Sequence, residues 1–147
     1  MLCLIDVQDG FRLRNRRHIK EIKRQISIAM NASESIMLVE MMGCGKTIME
    51  IKDMIGSYPL VHTTLKRNNG GGREILLELH RNGIFPSRIK ICGIYTNCCI
   101  ADTIWELTKY SPINVSVIEK ACLGTTRQMH LLSIKDLSSY KSTTITK

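Results

Sequence analysis

Short runs that are apolar at nearly every position, alternating with segments whose apolar residues recur every three or four, constrain this chain more than any other feature. Leu2-Cys3-Leu4-Ile5, Ser35-Ile36-Met37-Leu38-Val39, the segment 60–65, Ile89-Lys90-Ile91-Cys92-Gly93-Ile94 and the segment 113–118 read as strands. Strands without polar alternation are covered on both faces, which is the habit of a parallel sheet. Between them, Ile19, Ile22, Ile26 and Met30 mark a helix over residues 18–31. A short helix is expected over 48–55. Ile75, Leu76 and Leu79 mark another that stops at Gly83, then Ile100, Ile104 and Leu107, then Met129, Leu132 and Leu137. Thr143-Thr144-Ile145 supplies a short sixth strand. Strand and helix in alternation predict a three-layer α/β/α fold with a mainly parallel sheet. The length of 147 residues suits one domain spanning 1–147.

Composition narrows the function classes. No apolar run approaches the ~18 residues of a membrane span, so no membrane association is expected. Met1 leads directly into strand residues, with no signal-peptide pattern, and a cytoplasmic location is expected. The six cysteines fit a reducing compartment: Cys3, Cys92 and Cys122 lie in apolar runs, and no Cys/His spacing suggests zinc. The net charge of +8 is concentrated in Arg12, Arg14, Arg16, Arg17, Lys20, Lys23 and Arg24. A solvated helix face accounts for that run, and with 5% aromatic residues the chain lacks the stacking groups of a nucleic-acid module, so nucleic acid is not the expected partner. Gly43-Cys44-Gly45-Lys46-Thr47 invites comparison with a phosphate-binding loop, but Glu40 stands where that motif needs its first glycine.

Two places carry chemistry. Asp6 follows the first strand, where a carboxylate at the carboxyl end of an open α/β sheet borders the ligand crevice; a plain turn or cap residue is the alternative. Cys98 and Cys99 sit where a strand turns into a helix. With Asn97 as N-cap, Cys99 falls in the first helical turn, where unpaired N–H groups and the helix dipole favour a thiolate. Adjacent helical residues point about 100° apart, so one of the two thiols faces the crevice and the other packs.

Gly93-x-x-Thr96-Asn97-x-Cys99-Ile100-x-x-Thr103 resembles the nucleophile signature of the isochorismatase-like cysteine hydrolases. Asp6-x-Gln8-x-x-Phe11 resembles the family's Asp segment, and Lys66 ends the third strand as the family's lysine does. The three matches fall in the family's order and span residues 2–137. The resemblance implies a strand order 3-2-1-4-5-6, a Cys99-Asp6-Lys66 triad, an oxyanion site at the backbone of Tyr95 and Cys99, and a non-proline cis peptide at Ile94-Tyr95. It implies a pocket walled by Gln8, Phe11, Ile94 and Thr96, although Phe11 by itself reads equally well as core. The activity implied is hydrolysis of a C–N bond in a small amide through a thioester, with a homo-oligomeric assembly.

Some relatives hold a metal with an Asp-x-His segment and a further His. This chain offers Asp53 without paired histidines, so no metal or other cofactor is expected. The chain also departs from the family. Gly70-Gly71-Gly72, read as a flexible turn, stands where an aromatic pocket wall is common, and Glu119-Lys120-Ala121 replaces the usual Asp-Ala; the role of His130 stays open. In the implied strand order Lys66 lies two strand spacings, roughly 10 Å, from Asp6. A non-catalytic relative acting as a binding protein is the alternative function.

Overall fold

The computed structural model describes residues 1–13 and 15–147; Arg14 of the basic run lies outside the described residues. Six strands, β1 (Leu2–Ile5), β2 (Ile36–Met41), β3 (Val61–Lys66), β4 (Arg88–Ile94), β5 (Asn114–Leu123) and β6 (Thr143–Thr146), form one sheet. Its order is β3-β2-β1-β4-β5-β6 and every pairing is parallel. Among the described residues five α-helices connect them: α1 (Arg16–Asn31), α2 (Met49–Ile55), α3 (Gly72–Arg81), α4 (Ala101–Tyr110) and α5 (Arg127–Leu137). The expected α/β architecture and strand order are those observed.

The central strands bury every residue of β1 and all but the last of β2, because helices cover both faces. α1 turns His18, Ile19, Ile22, Gln25, Ile26 and Ala29 inward, the stripe its periodicity announced, and Asn15 caps it by accepting from the His18 N–H at 3.1 Å. α1 packs on β1 and β5, whereas α3 packs against α4. The edge strand β3 keeps Thr63 and Leu65 exposed. No helix of the described residues is long and apolar enough to cross a membrane.

Two features position the site. β1 is flanked by β2 on one side and β4 on the other, so the chain's direction of progress reverses there and the carboxyl ends of β1 and β4 border one crevice. β5 runs past its expected end to Leu123: its register with β4 shifts between Ile91 and Gly93, and the strand resumes at Cys122 and Leu123 beside Gly93 and Ile94. That bulge absorbs Glu119 and Lys120 and brings Thr125 alongside the turn after β4.

Candidate active site

Asp6 leaves β1 with φ 53°, a left-handed conformation that Asp tolerates better than most residues, while its N–H still donates to Val39 O at 2.9 Å. The turn lifts its carboxylate over the end of the sheet, where it is fully buried. Lys66 ends β3 in register with Met41. Its stem crosses β2 and delivers Nζ to 3.0 Å from Asp6 Oδ2, closing the gap of two strand spacings. The ammonium also donates to Asn68 O at 3.0 Å and Asn69 O at 2.8 Å, so two carbonyls orient it while its charge faces Asp6.

The glycines that follow are close-packed, in contrast to the flexible turn expected of them. A Cβ on Gly71 would stand 2.8 Å from Val39 Cγ1 and 2.9 Å from Lys66 Cδ, so the absent side chain is the passage for the lysine stem. Thr103 Oγ1 accepts from Gly71 N at 3.0 Å and donates to Cys99 O at 2.6 Å, tying this loop to the cysteine turn. Glu106 Oε2 accepts from Gly72 N at 2.8 Å at the start of α3.

The cysteines lie in a π-helical turn, Thr96–Ile100, ahead of α4. Tyr95 O accepts from both Cys98 N at 3.0 Å and Ile100 N at 3.1 Å. Asn97 is therefore not the helix cap expected of it. Its side chain crosses to the loop after β5, accepting from Thr125 N at 2.9 Å and donating to Thr125 Oγ1 at 3.0 Å. The wider turn aims Cys99 at Asp6 and leaves Cys98 partly buried against the core. Cys99 Sγ stands 4.0 Å from Asn69 Oδ1.

Electrostatics correct the expectation of a resting thiolate. Burial, reinforced by the Asp6 carboxylate, pushes the Cys99 thiol up to about 12, against the Lys66 charge and the Tyr95 backbone N–H, which favour the anion. The carboxyl of Asp6 is itself raised above the usual range by burial, with the Cys99 thiol and then Lys66 pulling it down. Neither Asp6 oxygen has an aligned hydrogen-bond donor: Lys66 meets it as a charge contact. The carboxylate thus keeps lone pairs free beside a protonated thiol, the arrangement of a base awaiting a proton.

The Ile94-Tyr95 peptide is cis, as the resemblance implied. The Tyr95 ring meets Phe11 edge-on, centroids 6.1 Å apart, and both rings are partly exposed. The other pocket residues named from sequence are inaccessible. Ile94 and Thr96 are buried, and Thr96 Oγ1 lies 2.8 Å from His130 Nδ1, which gives that histidine a bracing position. Burial holds the His130 ring below its usual range, with Glu119 opposing. Gln8 is fully buried and braces the end of β2: Nε2 donates to Met41 O and Gly45 O, and Oε1 accepts from Met41 N. Glu40 accepts from Thr47 N at 2.8 Å and Thr47 Oγ1 at 2.9 Å, so the residue that stands in place of the motif's first glycine braces the Gly43–Thr47 loop.

Sequence reasoning missed Asn69 and Thr103 as neighbours of the nucleophile. Thr103 belongs to the quoted signature, yet only the contact with Gly71 reveals its use. An open cleft of 620 Å³ lies beside this constellation, lined by Arg67, Asn68, Asn69, Asp102, Trp105 and Glu106 among others. Among the described residues no three His, Cys, Asp or Glu side chains cluster as a metal ion would require.

No protein-family model matches the chain, and no curated protein matches it in sequence. Solved structures match it in shape. The nicotinamidase SaPncA from Staphylococcus aureus superposes with TM-score 0.85 at 13% identity, over 99% of this chain and 96% of that one. MAR1 ribonuclease from Caenorhabditis elegans gives 0.79 at 18% identity, over 99% and 75%. An isochorismatase-like hydrolase from Alkaliphilus metalliredigens gives 0.76 at 17% identity, over 99% and 93%. At such identities the likeness establishes the fold and leaves the chemistry to be argued from the site.

Proposed function

We propose that residues 1–147 form a single isochorismatase-like domain that hydrolyses a C–N bond of a small amide, with Cys99 as nucleophile, Asp6 as proton carrier and Lys66 as the fixed positive charge. The observation that carries this reading is the fully buried Asp6–Lys66 pair set against the Cys99 thiol. A buried ion pair is weak as a stability device, so its placement beside a nucleophile favours a chemical use.

The thiol and carboxylate act together. As Cys99 Sγ attacks the amide carbon, its proton passes to Asp6, and Lys66 keeps the site's net charge balanced. The oxyanion is met by the backbone N–H groups of Tyr95 and Cys99. Asp6 returns the proton to the leaving nitrogen, the C–N bond breaks, and ammonia or an amine departs from a thioester. Water attacks the thioester, giving its proton to Asp6; the C–S bond breaks, the carboxylic acid leaves, and the sulfur recovers a proton from Asp6. The resemblance in motif, the cis peptide and the shared fold support the family assignment. The reading extends to a cytoplasmic homo-oligomer, and the exposed Met129, Leu131 and Leu132 on α5 supply apolar surface for such an assembly.

The test is iodoacetamide alkylation followed against pH, with mass spectrometry locating the label. Cys99 is expected to react faster than the other five cysteines, with a rate that rises as Asp6 deprotonates and then levels, because the carboxylate and not hydroxide removes the proton. Asp6→Asn should abolish the advantage. If Cys99 reacts like an ordinary thiol of pKa ~8.5, indifferent to Asp6, the hydrolase reading is wrong and the fold serves binding instead.

A further inference from the structure

The cleft beside Cys99 carries two charges of opposite sign that no side chain among the described residues engages. Arg67 follows Lys66 directly and lines one side; Asp102, one turn beyond Cys99, lines another, and both are exposed. Among the described residues neither has an ion-pair or hydrogen-bond partner, and they do not pair with each other. The remaining charge, Glu106, is engaged: its Oε2 takes the Gly72 and Arg73 N–H groups at 2.8 and 3.3 Å. Asn69 connects the cleft to the nucleophile, with Oδ1 4.0 Å from Cys99 Sγ and an Nδ2 that bonds to no described residue.

The same wall holds one aromatic ring among mostly polar side chains. Gly70 lines it where a ring could have stood, and a Cβ there would stand 2.5 Å from Glu106 Oε1, so a side chain would displace the carboxylate that holds the Gly72 and Arg73 N–H groups. Trp105, the aromatic residue of the cleft, has one face under Lys109, whose Nζ lies 4.3 Å from the ring centroid, and is 47% exposed. Beyond that ring, the cleft offers a ligand a cation, an anion and an amide donor.

We infer that this cleft selects a small zwitterionic amide, an amino acid whose side chain ends in a carboxamide, binding its carboxylate at Arg67, its ammonium at Asp102 and presenting the carboxamide to Cys99 past Asn69. The inference rests on the hydrolase reading above and specifies its substrate class. Arg67 offers a planar fork that matches a carboxylate, and an isolated carboxylate at Asp102 matches an ammonium. A ligand with both charges satisfies both groups, and one lacking either leaves a charge unanswered at the wall.

Protection of Cys99 against iodoacetamide reads this without requiring turnover. Four amides of matched length serve as probes: L-asparagine, succinamate, β-alaninamide and propionamide, which carry both charges, the anion, the cation and neither. Asparagine is expected to halve the alkylation rate at a concentration about tenfold or more below the other three, as charge-assisted hydrogen bonds imply. Arg67→Glu and Asp102→Lys should each erase most of that advantage. Equal protection by all four, or by none, overturns the inference while a fast, Asp6-dependent Cys99 keeps the hydrolase reading. Protection by succinamate or β-alaninamide equal to that by asparagine shows that one charge suffices and also overturns it. A Cys99 no more reactive than an ordinary thiol removes the hydrolase reading and this inference together.

Discussion

Lys66→Met would remove the ammonium while keeping an apolar stem of similar length in the channel that Gly71 leaves open. The Asp6 carboxylate would then sit fully buried without its positive partner, and Asn68 O and Asn69 O would lose a donor. Removing one partner of a buried pair costs about 3–5 kcal/mol. Asp6 can limit the loss by taking a proton. Its carboxyl titrates near ~3.9 in the unfolded chain, so neutralising it costs about 4 kcal/mol at pH 7 and about 1.5 kcal/mol at pH 5. Lys66 is one of the influences that hold the folded carboxyl down, so its loss sends that value further up. A carboxyl that titrates higher in the folded than in the unfolded state adds stability at low pH and loses it as pH rises through the folded value. The deficit of the variant should therefore be greatest at neutral pH and shrink by up to about 2.5 kcal/mol on going to pH 5. Urea unfolding of the native chain and the variant at pH 7, 6 and 5 measures this directly. A deficit constant across that range would refute the claim that Lys66 helps to hold the Asp6 carboxyl down. Asp6→Asn combined with Lys66→Met should recover part of the loss, since no bare charge remains.

Three further outcomes are expected. Gly93→Ala would drive a Cβ into the Ile5 carbonyl at a residue with φ 130°, forcing β1 and β4 apart; a loss of about 3 kcal/mol or more, seen in thermal melts, is expected. His18 is buried with Nε2 2.8 Å from Ala121 O, and burial lowers its pKa, so the folded chain holds it neutral while the unfolded chain protonates it below ~6.5. Its contribution is present above that pH and lost below it, and His18→Gln should lessen the decline of stability between pH 7 and 5 in urea titrations. Glu106→Ala strips the acceptor from Gly72 N and Arg73 N and loosens the loop whose carbonyls hold Lys66; a stability loss of about 1–3 kcal/mol should come with slower Cys99 alkylation.

Local pattern made much of this molecule legible. The apolar runs of β1, β2 and β4 needed no tertiary information, because a strand covered on both faces has no polar side to alternate with. α1 was announced by Ile19, Ile22 and Ile26, since a helical stripe records the core it faces. Asp6 and Cys99 could be placed because Asp6 directly follows a strand and Cys99 lies in the turn after another, and parallel strands carry their ends to a common edge.

The rest depended on residues distant in the chain. That Lys66 reaches Asp6 across β2 is decided by the packing of Val39 and Gly71 around its stem, sixty residues from the carboxylate it meets. Gly71 and Gly72 look like a loose turn in sequence and are sites of close contact in the fold, because only the neighbours reveal that a side chain has no room. Asn97 was a fair cap by residue type, yet Thr125 claimed its side chain once the β5 bulge brought the two together. The protonation of Cys99 shows the same division. Sequence places a cysteine at the start of a helix, where the backbone favours a thiolate; tertiary structure buries it against a carboxylate, and desolvation with like charge outweighs the Lys66 charge and the Tyr95 N–H and keeps the thiol.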